Sequence, residues 1–394
     1  MFNWFRQNPT SLKLRGARRI FLDYASATPV LRDVQQVMEK YWSRDFHNPS
    51  AIYEEGIRVK REVEECRARI GRSLGVQPKD IIFTSSGTES DNLAILGVFE
   101  QGLTLQKKPH IIISAIEHPA VVAAAEDVVR RGGEMSTCEV DEYGLIQLDK
   151  LKKLLKKNTF LVSVGYANNE IGSIQPISKI GRIVREYRKQ EESPYPYFHT
   201  DASQAPSFLN VDLDSLQADL MTLDGSKIYG PKGVGVLALR RGVKLHRLRS
   251  GTPNPALISG LTLALEIAIR DREKESKRLE SQRKYFVDAV TKRLPNLIVN
   301  GSPHSHLPNI ASVSIPGTLS EFILLKLDKE GVMVSVGSAC SNDEMESGSP
   351  VIKALGKGDL SESTLRFSFG RFSTPDEVKR AVEIFCKVVG SLKK

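Results

Sequence analysis

The chemistry of this sequence gathers around Lys227. It sits in "DGSKIYGPKG" (224–233), flanked by glycines in a segment too apolar to be plain surface. An amine held in such surroundings can have a lowered pKa and attack an aldehyde, although a salt-bridged surface lysine would read the same way. Four more stretches carry candidate groups. In "SSGTESDN" (85–92) Gly87 lets the backbone approach a ligand, and Thr88 stands where a helix begins, so its N–H and hydroxyl point at any anion there. A helix cap by Thr88 or Ser86 fits that stretch equally. "AIEHPA" puts His118 at a strand end before a proline-opened helix. "NNEIG" (168–172) is a polar cluster at another strand end, and "DASQA" (201–205) offers Asp201 with Gln204 one turn on.

Each of these is weak alone. Jointly they supply an anion cradle (Gly87, Thr88), a ring-facing imidazole (His118), an acid (Asp201) and an amine (Lys227). Pyridoxal 5'-phosphate needs this set: a Schiff-base lysine, a carboxylate at its pyridinium nitrogen, and donors for its phosphate. The dinucleotide signature G-x-G-x-x-G and the P-loop signature G-x-x-x-x-G-K-[ST] are both missing.

The elements that position these groups alternate. "IIFTS" (81–85), "HIIISAI" (110–116), "EMSTCEV", "FLVSVGYA" (160–167), "YFHTDA" (197–202) and "GVLALR" (235–240) read as strands, with helical patterns between them. That alternation predicts an α/β fold with a mostly parallel sheet covered on both faces, whose ligands sit beyond the strands' carboxyl ends. After "SGTPNPA" a long charged helix is expected over about 257–294, followed by a smaller α+β unit. The division expected is a large domain over 20–255 and a small one over 256–394, preceded by a basic arm at 1–19. That arm reads as a surface segment docked by Trp4 and Phe5, with an organelle transit peptide as the alternative.

Composition excludes several classes. The chain has 394 residues, 40% hydrophobic and 26% charged, with a net charge of +9, and no apolar run reaches the ~18 residues of a membrane span. Its basic residues are spread through amphipathic helices and are not interleaved with aromatics, which argues against nucleic acid as a partner. Four cysteines without paired spacing argue against a disulfide framework or a structural zinc site, and hence for a reducing, cytoplasmic setting. Cys66, Cys138 and Cys386 fall in helix or strand patterns, but Cys340 lies in "SVGSACSNDE" (335–344), a polar loop.

"LDYASATP", "NPSA", "TSSGTESDN", "EHPAV", "NNEIG", "DASQ", "SKIYGPKG", "RSGT", "GSACS" and "LRFSFGRF" follow the order found in cysteine desulfurases, and over about 20–390 the chain resembles the group typified by iron–sulfur cluster and nitrogen-fixation sulfur donors. The resemblance implies a type I PLP-dependent transferase fold, like that of aspartate aminotransferase, in a homodimer. It implies conversion of L-cysteine to L-alanine, with the sulfur left on the protein as a persulfide for an acceptor protein in iron–sulfur cluster assembly or tRNA thiolation. Position by position, it makes Lys227 the cofactor lysine, Asp201 the partner of the ring nitrogen, and His118 the stacked histidine that assists proton transfer. Asn169 and Gln204 lie near the ring hydroxyl, Gly87, Thr88 and Ser226 at the phosphate, and Thr252 reaches the partner subunit's phosphate. Arg366 clamps the substrate carboxylate, with Asn48 a second candidate, and Cys340 is the nucleophile.

The sequence departs from that pattern in three places. Asp224 replaces a serine or threonine at the phosphate and is expected to point away from it or to meet a cation. Ser226 replaces a histidine, and the segment before Arg249 is about ten residues short of the family's usual length. Two other readings stay open, a non-catalytic partner-binding subunit and a selenocysteine lyase-like enzyme.

Overall fold

The computed structural model describes residues 13–14, 17–105, 108–246, 251–337 and 348–392. Strands β1 (Lys13–Leu14), β2 (Ala17–Arg18) and β3 (Ile20–Phe21) precede helices α1 (Arg32–Ser43) and α2 (Glu54–Leu74). An alternating run follows: β4 (Ile81–Thr84), α3 (Gly87–Leu103), β5 (His110–Ser114), α4 (Pro119–Arg130), β6 (Glu134–Cys138) and α5 (Leu148–Leu154). It continues through β7 (Thr159–Ser163), α6 (Ile177–Gln190), β8 (Tyr197–Asp201), α7 (Leu213–Leu216), β9 (Leu220–Asp224) and β10 (Gly235–Leu239). The remainder is α8 (Pro255–Arg293), β11 (Ile298–Asn300), β12 (Ile310–Ser314), α9 (Ser320–Lys329), β13 (Val332–Met333), β14 (Ser335–Val336), α10 (Pro350–Ala354), β15 (Thr364–Ser368) and α11 (Pro375–Gly390).

A seven-stranded sheet has the order β4-β10-β9-β8-β7-β5-β6. Strands β5 to β9 pair in parallel, whereas β10 is antiparallel to both β9 and β4. Because β4 and β9 both oppose β10, β4 points the same way as the parallel set. The carboxyl ends of six strands therefore share one edge. Strands β5, β7 and β10 are buried at every residue, as a sheet covered on both faces requires. The period-2 geometry of a strand sorts side chains to opposite faces. Ile112 packs with α2 and α6 residues such as Ile70 and Ile180, whereas Ile111 and Ile113 pack with α3 and α4 residues such as Val98 and Val121.

The second sheet, β11-β12-β15-β14, is antiparallel. Its core closes on Phe286 of α8, which meets the rings of Phe367, Phe369 and Phe385. Ile20 and Leu22 lie in that same core, through the parallel pairing of β3 with β13. Asn254 caps α8 through a 3.2 Å bond from the Leu257 N–H, with Pro255 at the first helical position. The first half of α8 packs with the large sheet through Leu261, Ala264 and Leu265. Its second half packs with the small sheet through Leu279, Phe286 and Val290. Among the described residues no helix is long and apolar enough to cross a membrane, and Cys66, Cys138 and Cys386 are free thiols.

Candidate active site

The shared edge of the large sheet opens on a cavity of about 200 Å³. The turn after β4 brings Gly87 and Thr88 to it, β5 brings Glu117 and His118, and β7 brings Asn168 and Asn169. Asp201 and Gln204 arrive from β8, Asp224 and Lys227 from β9, and Arg366 from β15 of the small sheet.

Local sequence explains each placement. Ser86 is the cap of α3, accepting from the Glu89 N–H at 3.1 Å, and the Glu89 carboxylate returns to the N–H and hydroxyl of Ser85. Glycine lets this turn sit close to its neighbours, since a Cβ at Gly87 would stand 3.2 Å from Asp224 and from the Ser203 hydroxyl. His118 caps α4 ahead of Pro119, its Nδ1 accepting from the Ala120 N–H at 3.1 Å. With Nδ1 accepting, the ring proton sits on Nε2, and burial lowers the pKa of His118. The Asn168 side chain receives the Glu170 and Ile171 N–H groups and donates to the Ile116 carbonyl, which fixes the loop carrying Asn169.

Asp201 Oδ1 accepts from the Ser203 N–H at 2.9 Å and its hydroxyl at 2.6 Å. Gln204 donates to the Ala25 carbonyl at 2.9 Å. The Lys227 ammonium donates to the carbonyls of Ala25 at 3.2 Å and Ser26 at 2.5 Å. Arg366 is buried and donates to Asp23 at 2.7 Å, to the Ser26 hydroxyl at 2.6 Å and to the Asn169 carbonyl at 2.9 Å. Its Nε has no hydrogen-bond partner among the described residues.

The wall is acidic. Burial pushes the Glu117 carboxyl up to about 7, against the pull of its Ser114 and Gly165 donors. Asp91 in α3 is held well above the usual carboxylate range by burial and by the nearby Asp201 charge. Its Oδ1 has no hydrogen-bond partner among the described residues, and His199, which burial lowers to about 4, lies 3.7 Å away and is neutral.

Eight residues singled out from the sequence thus converge: Gly87, Thr88, His118, Asn169, Asp201, Gln204, Lys227 and Arg366. Three do not line the cavity. Ser226 uses its N–H on Asp224 and its carbonyl on Thr28. Thr252 is exposed beside a second cavity between α2, β4 and the start of α8. Asn48 is exposed and accepts the Ser50 N–H. Cys340 lies outside the described residues. Asp91, Glu117 and Ser203 line the cavity without having been singled out. Glu117 adjoins His118 in the sequence, and its position between a strand and a ring-facing histidine was the available signal.

The family described as aminotransferase class-V matches residues 20–246 and 243–381. Cysteine desulfurase IscS of Dictyoglomus turgidum is 38% identical over 387 residues, spanning 95% of this chain and 96% of that one. The enzyme of the same name from Methanosarcina thermophila is 36% identical, over 95% and 93%. The chain belongs to the cysteine desulfurases of the aminotransferase class-V family. Among solved structures, a NifS-like protein shares 29% identity with a TM-score of 0.87, covering 95% of this chain and all of its own. A structure described as SspA in complex with cysteine shares 29% identity with a TM-score of 0.77, over 90% of this chain and 100% of its own.

The fold expected from the sequence is thereby shown, and pyridoxal 5'-phosphate is the cofactor of this family. The donor set suits the ring and the aldehyde, with a carboxylate, an imidazole, an amide and an amine around one cavity of fitting size. The cradle is different from the expectation. Asp224 does not point away: its Oδ2 accepts the Gly87 N–H at 3.1 Å while Oδ1 accepts the Ser226 N–H at 2.7 Å. A helix N-terminus draws anions within reach, and the carboxylate at the end of β9 is one of them.

Proposed function

We propose that this protein is a cysteine desulfurase in which sulfur moves from the Cβ of L-cysteine to Cys340 Sγ, leaving L-alanine and a protein persulfide. The observation that carries this reading is the convergence of Lys227, His118, Asp201 and Arg366 on one cavity. Pyridoxal phosphate, when bound, supplies the electron sink that lets the substrate lose its α-proton. Lys227 would hold the cofactor through its amine, and the same amine is placed to move the substrate's α-proton. Asp201 would pair with the ring nitrogen and favour its protonated form, and its own geometry is fixed by Ser203. His118, protonated on Nε2, donates to the ring-side groups and steadies the proton being moved. Gln204 and Asn169 would hold the ring hydroxyl, with Gly87 and Thr88 on the side of the phosphate. Arg366 takes the substrate carboxylate, since a guanidinium matches a carboxylate in bidentate fashion. The C–S bond of the substrate breaks as the Cys340 thiolate forms an S–S bond, and the electron pair left on carbon takes up a proton.

In the same proposal, the units 20–255 and 256–394 meet at this cavity. The protein acts as a homodimer in which Thr252 serves the partner's site and Asn48 is a second contact for substrate. It works in the cytoplasm, donating sulfur to an acceptor protein of iron–sulfur cluster assembly or tRNA thiolation. The test is to incubate the protein with pyridoxal phosphate, L-cysteine and a reductant, then assay alanine and sulfide. Cys340→Ala should lose sulfide release yet keep the cofactor's visible absorbance, and Lys227→Ala should lose covalent cofactor. Cofactor binding without alanine would instead favour the partner-binding subunit, and a Cys340→Ala variant as fast as the parent would overturn the persulfide route.

A further inference from the structure

We propose that Asp224 sets the selectivity of this site for the tail of its cofactor, by holding the donors that a phosphate would use. The inference rests on the reading that the cavity takes a pyridoxal compound. Helix α3 is 17 residues long and opens at Gly87, directly after the capping Ser86. Its first N–H is the donor a phosphate at this edge would reach, and Asp224 Oδ2 accepts it at 3.1 Å. Asp224 is held there from two sides. Its backbone is in register opposite Gly235 in the ladder, and its Oδ1 receives the Ser226 N–H at 2.7 Å.

The carboxylate therefore meets the positive end of α3 and occupies the cradle with a charge of the same sign as the ligand's. A phosphate monoester must displace it or lie beside it, and both weaken binding. A phosphate-free aldehyde such as pyridoxal meets no such opposition. The usual advantage of the phosphate ester is thus reduced in this chain. Because the contact is local, the effect belongs to the tail and not to the ring or the amine.

The experiment titrates the full-length chain, stripped of bound cofactor, with pyridoxal phosphate and separately with pyridoxal, following visible absorbance. Parent, Asp224→Asn and Asp224→Ser are compared. Asparagine keeps the acceptor for the Ser226 N–H, so it tests charge with little change of shape. Both variants should bind the phosphate ester at least about tenfold more tightly than the parent while pyridoxal changes less than about twofold. An unchanged ester-to-aldehyde ratio in both variants overturns the proposal. Inorganic phosphate alone, read as a shift in unfolding temperature, decides the point independently of the aldehyde chemistry. Stronger protection of Asp224→Asn than of the parent supports the proposal, and equal protection overturns it. Failure of every form to bind either aldehyde counts against the cofactor reading, and the phosphate arm then supports or overturns the role of Asp224 by itself.

Discussion

Glu117 offers a quantitative test of the buried acid beside the candidate base. Its carboxyl receives the Ser114 hydroxyl and the Gly165 N–H, the latter at 3.0 and 3.1 Å to its two oxygens. Burial nevertheless raises it from 4.5 to about 7. The folded state therefore holds this proton more tightly than the unfolded chain, so stability falls as pH rises through that window and the full cost is present above it. Integrating the linkage relation between those two values gives a cost of about 1 kcal/mol at pH 5 and about 3 kcal/mol at pH 8. Glutamine at this position has no proton to lose. It keeps an acceptor for Gly165 and offers an N–H to a Ser114 hydroxyl turned to accept. Glu117→Gln should therefore be more stable than the parent by an amount that grows by about 2 kcal/mol from pH 5 to pH 8. Urea unfolding of the cofactor-free chain at several pH values, compared as midpoints for parent and variant, measures this difference. A gap that stays constant with pH, or a parent more stable than the variant at pH 8, would refute the reasoning.

His118 should separate its two duties: His118→Asn keeps an acceptor for the Ala120 N–H and so keeps stability, whereas His118→Ala loses about 1 kcal/mol of capping. Both should lose alanine formation, which a discontinuous amino acid assay reads. Arg366→Lys keeps the charge beside Asp23 but loses the planar fork, so KM for L-cysteine should rise roughly thirtyfold, worth about 2 kcal/mol. Gly235→Ala would press its new carbon 2.6 Å from the Ser86 carbonyl carbon and displace the turn that opens α3. Weaker retention of inorganic phosphate and a lower unfolding temperature are expected together, and a variant with wild-type values of both would contradict that placement of the cradle.

The strand ends were legible because their residues are the chemically specialised ones. The buried strands "HIIIS", "TFLVS" and "GVLAL" announce themselves as unbroken apolar runs, and the polar groups that follow the first two fall at the cavity edge. Strand β9, "LMTLD", does not stand out as a strand in the sequence, because it runs directly into the motif of Lys227 and looks like its approach. The direction of β10 is not written in its residues, since a strand covered on both faces reads the same either way. The sequence leads one to expect Asp224 either to turn away from a phosphate or to meet a cation. Repulsion from a phosphate and the lysines that follow are what its neighbours in sequence suggest. In the fold its attraction to the Gly87 N–H decides its position. Glu117 and Asp91 are not legible in the sequence for a different reason: an acid followed by a histidine, or one inside a helix, looks ordinary until burial is known.

Helix α8 has 39 residues, which at 1.5 Å each makes a rod of about 58 Å. From Leu261 to Arg293 it contains neither glycine nor proline, so it offers no natural place to bend. One end is seated in the core behind Lys227 and the other in the core behind Arg366. With those two residues in their proposed roles, the rod acts as a fixed gauge between the grip on the amine and the grip on the carboxylate. Every α-amino acid has the same spacing between those groups, so the gauge passes them all and leaves discrimination to the side chain. An amino acid with one more methylene between amine and carboxylate would be out of register at Arg366.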